Sequence, residues 1–109
     1  MIVVVVDPAA IVPKRWDAAT THEGLVAARD ILAAHDAVTW EADELEPPLR
    51  SLVEERGWKA GDLFMAIRVA TTGKTATPPL FDTLVALGRD RTLARLDAAI
   101  ASLSADVDA

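Results

Sequence analysis

An arginine, a lysine and a threonine–proline pair fall within a short stretch of this chain, at Arg68, Lys74, Thr77 and Pro78, with Leu80 just beyond. A planar guanidinium, a mobile ammonium and a hydroxyl suit binding better than bond breaking. Together they could hold an anion or the polar edge of a base. Gly73-Lys74-Thr75 looks like the close of a phosphate-binding loop, but that motif needs glycine five residues before Gly73, where Arg68 stands. No apolar strand leads into it either. A nucleotide hydrolase is excluded on both counts.

Other reactive constellations are missing. His22 and His35 lie thirteen residues apart, the chain has no cysteine, and the spacing does not make a zinc site. Each histidine reads as a helix-end or partly buried residue. The acidic group Glu41, Asp43, Glu44 and Glu46 fits an exposed helix start, where carboxylates complement the helix dipole, better than a catalytic pair. No nucleophile has a base near it in sequence.

The elements that must position Arg68 and its neighbours are helical. An apolar run from Leu63 to Ala70 ends at Gly73, a natural left-handed helix stop. Arg68, next to Ile67, falls at the edge of that helix's buried stripe. Thr77 ahead of Pro78 reads as N-cap and first turn of another helix, Pro78 to Leu87, stopped by Gly88. Further helices are expected after Thr20 or Thr21, ending at Asp36, and from Thr92 to Leu103. Thr39 offers a cap for a helix holding Leu45, Leu49, Leu52 and Val53 and stopped by Gly57. Pro47 and Pro48 argue that this helix starts near Pro47 rather than running through it. Trp16 reads as a core or lid aromatic rather than a stacking platform. Residues 1–6 are apolar with strand propensity, an N-terminal segment or cut linker; residues 7–104 form the helical domain and 105–109 a frayed tail.

Composition agrees with an all-α fold, a compact bundle of about five helices. Half of the 109 residues are hydrophobic, enough to bury a core in one domain without cross-links. The opening apolar run is too short to span a membrane. The net charge of −6 runs against a polyanion binder, but the charge is unevenly spread. Residues 1–58 carry five basic and eleven acidic groups. Residues 59–95 carry six basic groups (Lys59, Arg68, Lys74, Arg89, Arg91, Arg95) against three acidic ones, and three aspartates come after them. The positive segment coincides with the Arg68 stretch. Scattered, solvated charges on helix faces are the alternative.

The order Ala66-Ile67-Arg68-Val69-Ala70-Thr71-Thr72-Gly73, then Thr77-Pro78-Pro79-Leu80-Phe81-Asp82, Leu84, Leu87-Gly88, Arg91, Leu93 and Arg95-Leu96 resembles the C-terminal anticodon-binding domain of bacterial glutamyl-tRNA synthetases. Weaker similarity reaches back through Pro13-Lys14 and Asp7-Pro8. The departures are Ala66, where proline is usual, and Pro47-Pro48 inside a helix the family continues. The resemblance implies a partner, the anticodon loop of tRNA(Glu). Arg68 would then face a base edge or phosphate, Lys74 would meet phosphate, Thr77 and the backbone at Pro78 would supply hydrogen bonds, and Leu80 would touch a base face. It also implies a second partner, the catalytic domain of the same synthetase, and a cytoplasmic setting, with no membrane or DNA role. The His-x-Gly-His and Lys-Met-Ser-Lys-Ser type signatures of that catalytic domain are missing here. ATP and magnesium are therefore not expected as cofactors of this chain, nor is aminoacylation by it alone. A free-standing helical protein-interaction module with the same fold is the competing reading.

Overall fold

The computed structural model describes residues 11–13, 16–36, 38–75 and 79–108, the last four by backbone alone. Among the described residues, five α-helices lie complete and form an all-α bundle: α1 (Ala18–Ala33), α2 (Ala42–Arg56), α3 (Ala60–Thr72), α4 (Leu80–Leu87) and α5 (Arg89–Asp108). No strand occurs among the described residues, and the expectation for residues 1–6 lies outside them. None of these helices is long and apolar enough to cross a membrane. The longest helix, α5, packs most extensively on α1 and also touches α3 and α4.

Each helix start shows a competition between local signals. Asp17, not Thr20 or Thr21, caps α1, its carboxylate accepting from the Thr20 N–H at 2.7 Å. Thr21 is instead fully buried, its hydroxyl donating to the Asp17 carbonyl. The helix ends at Ala33, short of Asp36. Asp36 accepts from the N–H groups of Val38 and Thr39, which commits Thr39 to this turn and leaves Glu41 as the N-cap of α2.

The expected start of α2 near Pro47 is corrected: the helix begins at Ala42 and runs through both prolines. Glu41 already accepts from the N–H groups of Glu44 and Leu45 before the prolines are reached. The two missing proline donors leave the Asp43 and Glu44 carbonyls without helical partners, and both residues are exposed to water. Only an earlier start places Leu45 on one stripe with Leu49 and Leu52, and Leu45 is fully buried. Burying such a leucine contributes about 1.5–3 kcal/mol, comparable with the roughly 3 kcal/mol that an interior proline costs. Burial of Trp40 just upstream adds to the same side.

α4 starts at Leu80, later than expected, with Pro79 as an extended N-cap at φ −45° and ψ 136°. Pro79 itself has non-helical backbone, so the helix waits for Leu80. Gly88 stops α4 with φ +86° and ψ 159°, a region open essentially to glycine alone, and α5 begins at once at Arg89 rather than Thr92. Thr92 is buried within the first turn of α5.

The core gathers Leu25, Leu32, Leu45, Leu49, Leu63, Ile67, Leu84, Leu96 and Leu103, all fully buried. Trp16 half-covers it as a lid, tilted against Trp58 at a ring separation of 5.1 Å and resting over Gly24. Phe81 meets Phe64 edge-to-face at 5.3 Å. The Trp40 indole N–H donates 2.9 Å to the Leu84 carbonyl, which also accepts from Gly88 N–H. This joins the entry to α2 with the exit of α4.

This packing has two measurable consequences. Trp40→Phe removes the indole bond but leaves the Leu84 carbonyl with its Gly88 donor, so urea denaturation should show a loss of about 1 kcal/mol. No measurable loss would mean the bond does not help seat α4. The Thr20 backbone N–H, and then its hydroxyl, hold the Asp17 carboxyl below its ordinary value of 3.8. The unfolded chain therefore binds the proton more readily, and the cap's contribution is complete above pH 3.8 and lost as pH falls through the lower folded value. The melting-temperature gap between wild type and Asp17→Ala should be constant near pH 6 and shrink steadily below pH 3.8.

Candidate nucleic-acid interface

Of the residues singled out by type, Arg68 and Lys74 lie at the C-terminal end of α3. Gly73 caps that helix in the left-handed region, φ +72° and ψ 11°, its N–H donating to the Val69 carbonyl at 2.8 Å. Arg68 sits one turn before the cap, half-buried at the stripe edge beside fully buried Ile67, as the spacing implies. Lys74 comes directly after the cap and is exposed. Thr77 and Pro78 lie outside the described residues. Leu80 needs correction: with 4 % of its surface exposed it belongs to the core, where it seats the first turn of α4 rather than offering a face to a base.

Two further residues shape this end. The Thr72 hydroxyl donates to the Arg68 carbonyl at 2.6 Å and accepts from the Lys74 N–H at 3.1 Å. The Arg95 guanidinium reaches across from α5 and donates to the Thr71 carbonyl at 2.7 Å. Thr71 is itself buried, its hydroxyl donating to the Ile67 carbonyl. A threonine just before a C-terminal glycine could have been flagged by its habit of bonding back four residues. The Arg95 bond joins helices 24 residues apart in sequence and had no local signal.

The six basic residues of the central segment therefore do not form one patch. Lys59 is the N-cap of α3, and a helix of 13 residues separates it from Lys74, roughly 20 Å at the usual rise. Arg89 closes the end of α1, donating to the His35 carbonyl at 2.7 Å and the Ala33 carbonyl at 3.0 Å. What the structure leaves at the Gly73 end of α3 is Arg68, Lys74 and Arg95, the last bonded to the Thr71 carbonyl. The site is smaller than the charge count suggested.

A cleft of about 570 Å³ lies elsewhere, between the end of α1 and the α4–α5 corner. Its lining sets Asp36 and Asp90 against Arg89 and Arg91, so it offers no net positive field. The acidic residues Asp43 and Glu44 occupy the exposed first turn of α2, and Glu46 pairs with Arg50 at 2.5 Å. His22 bonds the Ser104 hydroxyl at 2.8 Å, and the His35 ring meets the Ile31 carbonyl. No group of three or more possible metal ligands occurs among the described residues.

With this geometry in view, sequence comparison decides the family. The family model described as an anticodon binding domain matches residues 3–100. The chain belongs to this family. It is 58% identical over 99 residues to a glutamate–tRNA ligase of Roseiflexus castenholzii, covering 91% of this chain and 19% of that protein. The glutamate–tRNA ligase of Chloroflexus aurantiacus is 50% identical over 97 residues, again 19% of its length, and that of Solibacter usitatus is 43% identical over 97 residues. The chain thus spans about a fifth of the curated relatives it matches, as their anticodon-binding part. No solved structure matches it.

The α3 end yields its own test. Arg95→Met keeps most of the apolar stem but removes the donor to the Thr71 carbonyl, and the half-buried setting limits the cost to about 1 kcal/mol. Gly73→Ala forces a side chain into the left-handed region and should cost about 1–2 kcal/mol. Chemical denaturation of both variants reads the two values, and a Gly73→Ala protein as stable as wild type would contradict the cap geometry.

Proposed function

We propose that this anticodon-binding domain receives the anticodon loop of tRNA(Glu) at the C-terminal end of α3 and the segment leading to α4. The domain positions that tRNA for aminoacylation by the catalytic domain of the same ligase, in the cytoplasm. ATP and magnesium belong to that catalytic part, and this chain takes no cofactor of its own. The observation that carries the reading is the convergence of Arg68 and Lys74 on a left-handed helix end, within a chain that matches an anticodon-binding domain from residue 3 to residue 100.

The chemistry of the loop fits these groups. Unpaired bases expose their hydrogen-bonding edges, and the planar shape of a guanidinium held at the margin of a packed stripe suits such an edge. Lys74, exposed on a polar segment, suits a phosphate oxygen, to which it contributes charge without sequence information. Thr77 and Pro78 complete the contact set by their match to the family pattern, while Leu80 acts from within the core. An acidic protein repels most of the RNA backbone, so the contact stays confined to this end.

Titration of anticodon stem-loops separates base reading from charge attraction. Arg68→Lys retains the charge but loses the planar fork. It should cost about 1–3 kcal/mol on the cognate loop and much less on an anticodon-swapped one. Lys74→Ala should weaken both loops alike and lower the salt slope by about one contact. Equal losses on both loops for Arg68→Lys would remove the base-reading role. Binding that is indifferent to salt would favour a protein partner instead.

A further inference from the structure

We propose that Thr72 is a positioning residue for the RNA contact: its hydroxyl fixes the direction in which the chain leaves α3, and so aims Lys74 at phosphate. The inference rests on the anticodon-loop reading and adds a residue to it. The Thr72 hydroxyl proton goes to the Arg68 carbonyl at 2.6 Å, the shortest of its contacts, and the oxygen accepts the Lys74 N–H at 3.1 Å. The Lys74 carbonyl lies 3.3 Å from the same oxygen. One neutral atom therefore ties the backbone of the residue proposed to read a base to the backbone of the residue proposed to hold a phosphate.

Neither Gly73 nor Arg95 can fix Lys74 in this way. Gly73 supplies the left-handed turn but has no side chain to hold the next residue. Arg95 secures the carbonyl of Thr71, one residue too early to orient the exit. Without the hydroxyl, the Lys74 N–H would turn to water and the segment after Gly73 would sample several directions. A lysine has a flexible stem, so the ammonium could then reach phosphate only in a fraction of those conformations.

This gives an uncharged substitution an effect normally confined to charged ones. Thr72→Val preserves shape and net charge while removing both hydrogen bonds, so the plot of log affinity against log salt for a tRNA(Glu) anticodon stem-loop should lose about 0.7 of its slope, the share of one single-strand phosphate contact. Thr72→Ser, which restores the hydroxyl, should return the slope to the wild-type value. In the free 109-residue protein, hydrogen exchange at the Lys74 amide should be slowed in wild type and Thr72→Ser and fast in Thr72→Val. A Thr72→Val protein with the wild-type slope overturns the proposal, whatever its melting temperature. So does an unprotected Lys74 amide in wild type. Absence of salt-dependent binding by wild type itself would sink the anticodon-loop reading, and with it the role of Thr72 toward RNA. The exchange measurement would then show separately whether the hydroxyl orders the segment.

Discussion

Carbonyls at three helix ends take side-chain donors from distant parts of the chain, and these closures are the constraint on which this bundle depends. Arg89 donates to the Ala33 and His35 carbonyls at the end of α1. Arg95 donates to the Thr71 carbonyl at the end of α3. The Trp40 indole donates to the Leu84 carbonyl at the end of α4. Each such bond contributes about 1 kcal/mol, and each ties a helix end to a residue far away in sequence. Cations also complement the negative end of each helix dipole. Two of the three donors come from α5, which makes the last helix the fastener of the fold as well as part of its core.

That arrangement explains how an acidic protein can carry a local cationic site. Its arginines are divided by task. Arg89 and Arg95 are committed to carbonyls inside the protein, while Lys74 and Arg91 remain on the surface. The field at the end of α3 is then the sum of a few fixed charges, with surface lysine closest to solvent. Such a site favours a ligand that brings one or two phosphates and offers base edges, and disfavours extended contact along a polyanion. The exposed acids Asp43 and Glu44 on α2 add to that discrimination.

The two proline pairs, Pro47-Pro48 and Pro78-Pro79, show the same residue type resolved in opposite ways. In α2, Leu45, Leu49 and Trp40 are buried deeply enough to carry the helix through both prolines. Before α4 the described part of the pair, Pro79, stays extended and the helix waits until Leu80. Local preference is equal in the two cases; the amount of apolar surface gained upstream is not.

The amino-acid sequence by itself determined the helical class, the apolar stripes and the glycine stops at Gly57, Gly73 and Gly88, because these rest on short-range periodicity and on backbone freedom that only glycine has. It also placed Arg68 at the margin of a buried stripe and Lys74 just past a helix end, and its residue order carried the family resemblance. The tertiary structure alone decided which cations are available. Arg89 and Arg95 look like their surface counterparts in sequence, and only the approach of α5 to α1 and α3 shows that their donors are taken. It decided the start of α2, since the burial of Leu45 against distant helices outweighs the local cost of proline. It withdrew Leu80 from the binding surface for the same reason, because whether a leucine at a helix start faces a ligand or a core depends on what packs over it. Partners from distant parts of the chain settle these questions, and no local pattern encodes them.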